Sequence, residues 1–157
     1  MQNFQEFLEN SLQQNIKKLV PLTGGASADI NRIILENNNE LIVRRSLSKE
    51  QSVMAVPKKL EAKIQRIVRS NDAPVPEIIF EFSEDEDIGE GYVMEAIPGE
   101  TIPRKILRDD KYKNVRSKLS FEIGRSLATI HQTKLDELSD LDSVTFEESL
   151  KKLYLVY

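Results

Sequence analysis

Residues 29–46 read DINRIILENNNELIVRRS: two runs rich in isoleucine, leucine and valine, separated by three asparagines. Asparagine tolerates positive φ, so Asn37, Asn38 and Asn39 predict a tight hairpin between two strands. Side chains alternate along a strand. In ELIVRRS, Ile42 and Arg44 therefore share one face, and Leu41, Val43 and Arg45 share the other. A Gly-Gly turn, LTGGASAD, stands just before the hairpin. Its glycines suit a bare turn, and equally a loop whose backbone N–H groups approach an anion.

The neighbouring segments extend the pattern. Phe4, Phe7, Leu8 and Leu12 recur at helical spacing and predict a short amphipathic helix. IKKLVPL reads as a strand. PKKLEAKIQRIVRSN reads as a helix with Pro57 in its first turn and an apolar stripe of Leu60, Ile64, Ile67 and Val68. The prolines of APVPEIIFEF exclude a helix, and a strand follows them. EDEDIGEG is an acidic turn, a solvated loop rather than a metal site because adjacent acids repel. YVMEAI is a short strand stopped by PGE.

From Arg104 to Tyr157 only helices are expected. Leu119, Ile123, Leu127 and Ile130 share one face of the longest. In TFEESLKKLYLVY, Thr145 is placed to cap and Glu148 completes a capping box. The expected join lies near Pro98, with a mixed lobe over 1–97 and helices over 98–157.

Composition narrows the chemistry. The chain has no cysteine, which excludes disulfides, thiolate metal sites and cysteine nucleophiles. With a net charge of −4 and no basic cluster, nucleic acid is not an expected partner. The N-terminus lacks the basic start and apolar core of a signal peptide, and no apolar run reaches membrane-spanning length. A cytoplasmic protein with no membrane partner is the expectation.

LTGGAS, LIVRR, LEAKIQRI, APVPEII, GYVMEAIPGE and IGRSLATIHQTKL occur in one order across roughly Leu22 to Leu135. In that order they resemble the N-terminal lobe of the aminoglycoside/choline-kinase-like phosphotransferases, relatives of the protein kinases. The resemblance is nearest to the branch that includes kinase-like domains fused to acyl-CoA dehydrogenases. It implies an α+β fold: a five-stranded antiparallel sheet with one inserted helix, followed by helices of an incomplete C-terminal lobe.

The resemblance also implies ATP as the ligand, with Gly24, Gly25, Ala26 and Ser27 covering its phosphates. Arg44 would take the place of the family's cation and Glu61 that of the glutamate that pairs with it, with Glu50 as a rival. Arginine there departs from the protein-kinase lysine, yet it supplies a permanent forked cation. YVMEAIPGE would be the hinge. Backbone at Glu95 to Ile97 would bond adenine, with Met94 beside the base and Ile42 over it. Each of these residues has a plain alternative as surface charge or buried strand.

In the family a histidine-glycine-aspartate stretch, an asparagine and a later aspartate provide the base and the magnesium ligands. The one histidine, His131 in TIHQTK, resembles a helix end before that half. The expectation is an ATP-binding portion of a small-molecule phosphotransferase, with Mg2+ and catalytic groups belonging to an absent half. The apolar end, Leu153 to Tyr157, would want a complementary lobe or self-association. The alternative is a non-catalytic nucleotide-binding or protein-interaction module on a kinase-like scaffold.

Overall fold

The computed structural model describes residues 3–22, 29–47, 56–83, 87–134, 147–148 and 150–151. The asparagine hairpin forms as its sequence dictates. Asn38 takes φ 64, and Leu35 N–H donates to the Asn39 carbonyl at 2.9 Å. The Asn37 side chain accepts from Asn39 N–H at 2.9 Å. The turn joins β2 (Asp29–Leu35) to β3 (Glu40–Ser46), with Val43 opposite Asn31 and Ile42 opposite Arg32.

A hairpin alone is marginal, and further strands stabilise it. β1 (Ile16–Pro21), β4 (Ile78–Ser83) and β5 (Glu90–Glu95) complete an antiparallel sheet in the order β1-β2-β3-β5-β4. β3 is central, so its two faces decide what each side of the lobe can do.

One face is closed by α1 (Phe4–Leu12), whose start is capped by Asn3. Leu8, Ile33, Val43 and Val93 are each 0% exposed there, with Leu35, Phe82 and Ile88 beside them. Arg45 also lies on this side. Its guanidinium stacks 3.6 Å from the centre of the Phe4 ring and pairs with Asp29 at 2.8 Å. A register shift between Ile78 and Phe80 turns β4 over. Phe80 and Phe82 therefore join the α1 core, while Ile78 packs on the opposite face.

That opposite face carries α2 (Lys58–Ser70), which lies over β4 and β5. Of the apolar stripe expected on this helix, only Val68 is part of its buried edge. Lys58, Ala62 and Val68 are buried, while Leu60, Ile64 and Ile67 are only half-buried. Ala62 has no bulk, so the helix settles there against Ile78, Tyr92 and Met94. The larger side chains are left along its flank.

Beyond β5, α3 (Pro103–Arg108) and a turn of 3₁₀ helix over Asp110–Tyr112 lead into α4 (Lys113–His131). Arg116 bonds the Ile106 and Asp109 carbonyls at 3.0 and 2.9 Å, fixing α4 to the end of α3. The stripe expected on α4 lies uncovered among the described residues, with Ile123, Leu127 and Ile130 all exposed. No described helix is long and apolar enough to cross a membrane. The Thr145 cap, residues 84–86 of the acidic turn and the Leu153 to Tyr157 end lie outside the described residues.

Gly91 on β5 stands opposite Arg45 on β3 and Phe82 on β4. A Cβ there would lie 2.6 Å from the Arg44 carbonyl oxygen and 2.5 Å from the Phe82 ring. Gly91→Ala must push the two strands apart, a change expected to cost about 1–3 kcal/mol. Thermal or urea denaturation measures it, and an unchanged midpoint would contradict the packing described.

Candidate functional site

The site grows from the open face of β3. Arg44 stands opposite Ile30 on β2 and Tyr92 on β5, and Ile42 stands opposite Arg32 and Met94. All of these residues share the face on which α2 lies. Because α2 covers only the β4–β5 half, no described element covers the half formed by β1, β2 and β3 on this face.

Above Arg44, the first turn of α2 brings in a carboxylate. Arg44 Nε donates to Glu61 Oε2 at 2.9 Å, and Nη2 reaches Glu61 Oε1 at 3.5 Å. Lys58 Nζ donates to Oε1 at 2.8 Å, and the Tyr92 hydroxyl donates to Oε2 at 3.2 Å. Four donors thus fill the acceptor sites of one carboxylate. The helix start is itself anchored from the sheet. Glu90 on β5 accepts from Lys58 N–H and from Lys59 N–H, an acidic cap where the helix dipole favours one.

The electrostatics follow from this crowding. Burial pushes the Glu61 carboxyl up, but the hydrogen bonds from Arg44 and Lys58 outweigh it and hold the group below the usual carboxylate range. The bond to Glu61 raises the Arg44 guanidinium further, against the opposing effect of burial. The Tyr92 phenol is pushed up to about 12, first by burial and then by the neighbouring Glu61 charge. At neutral pH Arg44 stays charged, Glu61 stays ionised and the Tyr92 phenol stays neutral.

Next to it, a cleft of about 950 Å³ is lined by Pro21, Leu22, Ile30, Arg32, Glu40 and Ile42 on the sheet side and by Ala96–Gly99 and Thr101 on the other. Ile30 and Ile42 give it an apolar roof. Arg32 and Glu40, paired at 3.6 Å, add charge to its wall. Such a volume suits a ligand of nucleotide size rather than a single phosphate.

The expected hinge residues separate here. Glu95 N–H is committed to the Glu77 carbonyl at 2.9 Å, and its carboxylate lies 3.8 Å from Arg69. Ile97 is 57% exposed at the cleft. The backbones of Ala96 and Ile97 make no hydrogen bond among the described residues. Met94 is half-buried against Ala62, Ile78 and Tyr92, beneath α2.

Ile42, Arg44, Glu61 and Met94 are therefore brought to one face of the sheet, with Ile97 across the cleft. Gly24, Gly25, Ala26 and Ser27 lie outside the described residues, as does Glu50. Sequence reasoning missed Lys58, Tyr92, Glu90 and the cleft residues Ile30, Arg32 and Glu40. Alternation from Met94 and Ile42 would have placed Tyr92 and Glu40 on this face. Nothing in the sequence marks Lys58. Among the described residues, no group of three or more histidine, aspartate and glutamate side chains is arranged to hold a metal ion.

A family model described as the phosphotransferase enzyme family matches residues 18–151, from within β1 to beyond the end of α4. No curated protein gives a significant match to the chain.

The depressed Glu61 carboxyl makes a signed prediction. A group with a lowered folded-state pKa stabilises the fold above its unfolded pKa, and that stability is lost as pH falls through the folded value. Glu61→Gln should lower the melting temperature near neutrality. The gap to wild type should close as pH drops below the usual carboxylate range. Parallel melting curves at every pH would show that the Glu61 charge does not stabilise the fold.

Proposed function

The chain belongs to the phosphotransferase enzyme family, and we propose that it holds ATP in the cleft as the nucleotide-binding portion of a small-molecule phosphotransferase. The observation that carries this reading is the placement of Arg44. It stands on the same face as the cleft's roof residue Ile42, about 7 Å further along β3. Its charge is fixed by Glu61 at 2.9 Å. A flat base beneath Ile30 and Ile42 would leave its phosphates beside that guanidinium.

The remaining assignments complete the same proposal. The unbonded backbone of Ala96 and Ile97 would bond the edge of the base, close to Glu95, with Met94 behind it. Gly24, Gly25, Ala26 and Ser27 would bring backbone N–H groups over the phosphates. Residues 1–97 would form the nucleotide-binding lobe and 98–157 the hinge and first helices of a helical lobe. Bound ATP, with Mg2+, would supply the phosphoryl group for transfer to a hydroxyl. The residues named here bind and orient it, and none is assigned as the catalytic base.

Calorimetric titration tests the reading. Wild-type protein should bind ATP saturably. Arg44→Ala should weaken ATP by about tenfold to a hundredfold, as expected for losing a charge-assisted bond to phosphate, with adenosine little changed. Absence of saturable ATP binding by the wild type would overturn the proposal, and equal ATP affinity in Arg44→Ala would remove Arg44 from it.

A further inference from the structure

Lys58 is 4% exposed, an unusual burial for a lysine at the start of a helix. Its ammonium reaches Glu61 Oε1 at 2.8 Å and the Val56 carbonyl at 3.5 Å. Glu90, the other carboxylate near the helix start, is turned to the backbone N–H groups of Lys58 and Lys59.

The two oxygens of Glu61 are used unequally. Oε2 holds Arg44 Nε at 2.9 Å, whereas Oε1 has Lys58 at 2.8 Å and only a long 3.5 Å approach from Arg44 Nη2. A guanidinium facing a carboxylate alone favours a two-point fork that engages both oxygens. Here Lys58 shares Oε1 with Nη2, and the second arm of the fork is long.

We propose that Lys58 is a positioning residue that keeps the Nη2 arm of the Arg44–Glu61 fork long and so leaves the outer edge of the Arg44 guanidinium for an anionic ligand. The inference rests on the reading of Arg44 as a phosphate contact. It adds that the contact depends on a second cation which does not itself touch the ligand. Nε on Oε2 fixes the direction of the guanidinium. Lys58 on Oε1 competes with Nη2 for that oxygen and lengthens its approach. Without the ammonium, Nη2 would close onto Oε1 and the fork would turn from the phosphates to Glu61.

Lys58→Met keeps the length of the buried stem and leaves Glu61 paired with Arg44. ATP, inorganic tripolyphosphate and adenosine are titrated into wild type, Lys58→Met, Glu61→Gln and the double variant, with melting curves confirming that each is folded. Lys58→Gln replaces Lys58→Met if the latter melts early. Expected are an ATP and tripolyphosphate affinity lower by about tenfold in Lys58→Met, the scale of weakening one hydrogen bond from Arg44 to a charged group, and an unchanged adenosine affinity. In the Glu61→Gln background, where no carboxylate competes for the fork, the same substitution should have little effect.

Equal polyphosphate affinity in wild type and Lys58→Met would overturn the proposal. So would parallel loss of adenosine, which marks a general structural role, or an undiminished effect in the Glu61→Gln background, which marks direct contact. If wild type binds tripolyphosphate but not ATP, the nucleotide reading fails while the tripolyphosphate cycle still decides the role of Lys58. If wild type binds neither, both fall.

Discussion

The carboxylate of Glu61 ties three separate parts of the lobe to one point. Through Arg44 it reaches the central strand, through Tyr92 the next strand, and through Lys58 the first turn of its own helix. The apolar contact beneath this helix is modest, centred on Ala62 with Ile78, Tyr92 and Met94. The rotation of α2 about its axis is therefore set largely by polar partners. Breaking a buried pair by removing one member leaves an uncompensated charge. With two cations on it, this carboxylate stays paired when either one is lost.

The open cleft follows from the same placement. Helix α2 crosses over to reach β4, the edge strand beyond β5, and in doing so covers only that half of the sheet. The half made by β1, β2 and β3 keeps an apolar surface, Ile30 and Ile42, that no described helix covers. On the other face α1 closes the core completely, with Leu8 at 0% exposure. Among the described residues one face is thus covered by α1 and the other is half open, with the backbone of Ala96 and Ile97 at the border of the opening.

Much of this was legible in the sequence where a short period governs. Alternation alone put Ile42 and Arg44 on one face of β3, and the asparagines marked the hairpin. The pairing of Arg44 with Glu61 came from family likeness, since a helical glutamate read by itself is a surface residue. Lys58 was invisible because its burial depends on a carboxylate three residues on and on a strand far away in sequence. Apart from Val68, the stripe on α2 was misplaced because hydrophobicity favours Leu60 and Ile67, while close approach to a sheet favours the small Ala62. The inversion of β4 at Ile79 was equally hidden, since a β-bulge has no compositional mark in APVPEIIFEF.

The hydroxyl of Tyr92 gives the lobe an optical property of its own. The chain contains four tyrosines and no tryptophan, so tyrosine dominates its near-ultraviolet absorption and emission. This phenol shares Oε2 of Glu61 with Arg44, and its ionisation feels the charge of that carboxylate. Any event that changes the hydrogen bonding or ionisation of Glu61 changes the chromophore beside it. The protein therefore carries an intrinsic probe within hydrogen-bonding distance of its central ion pair, and no dye or introduced label is needed to watch that pair.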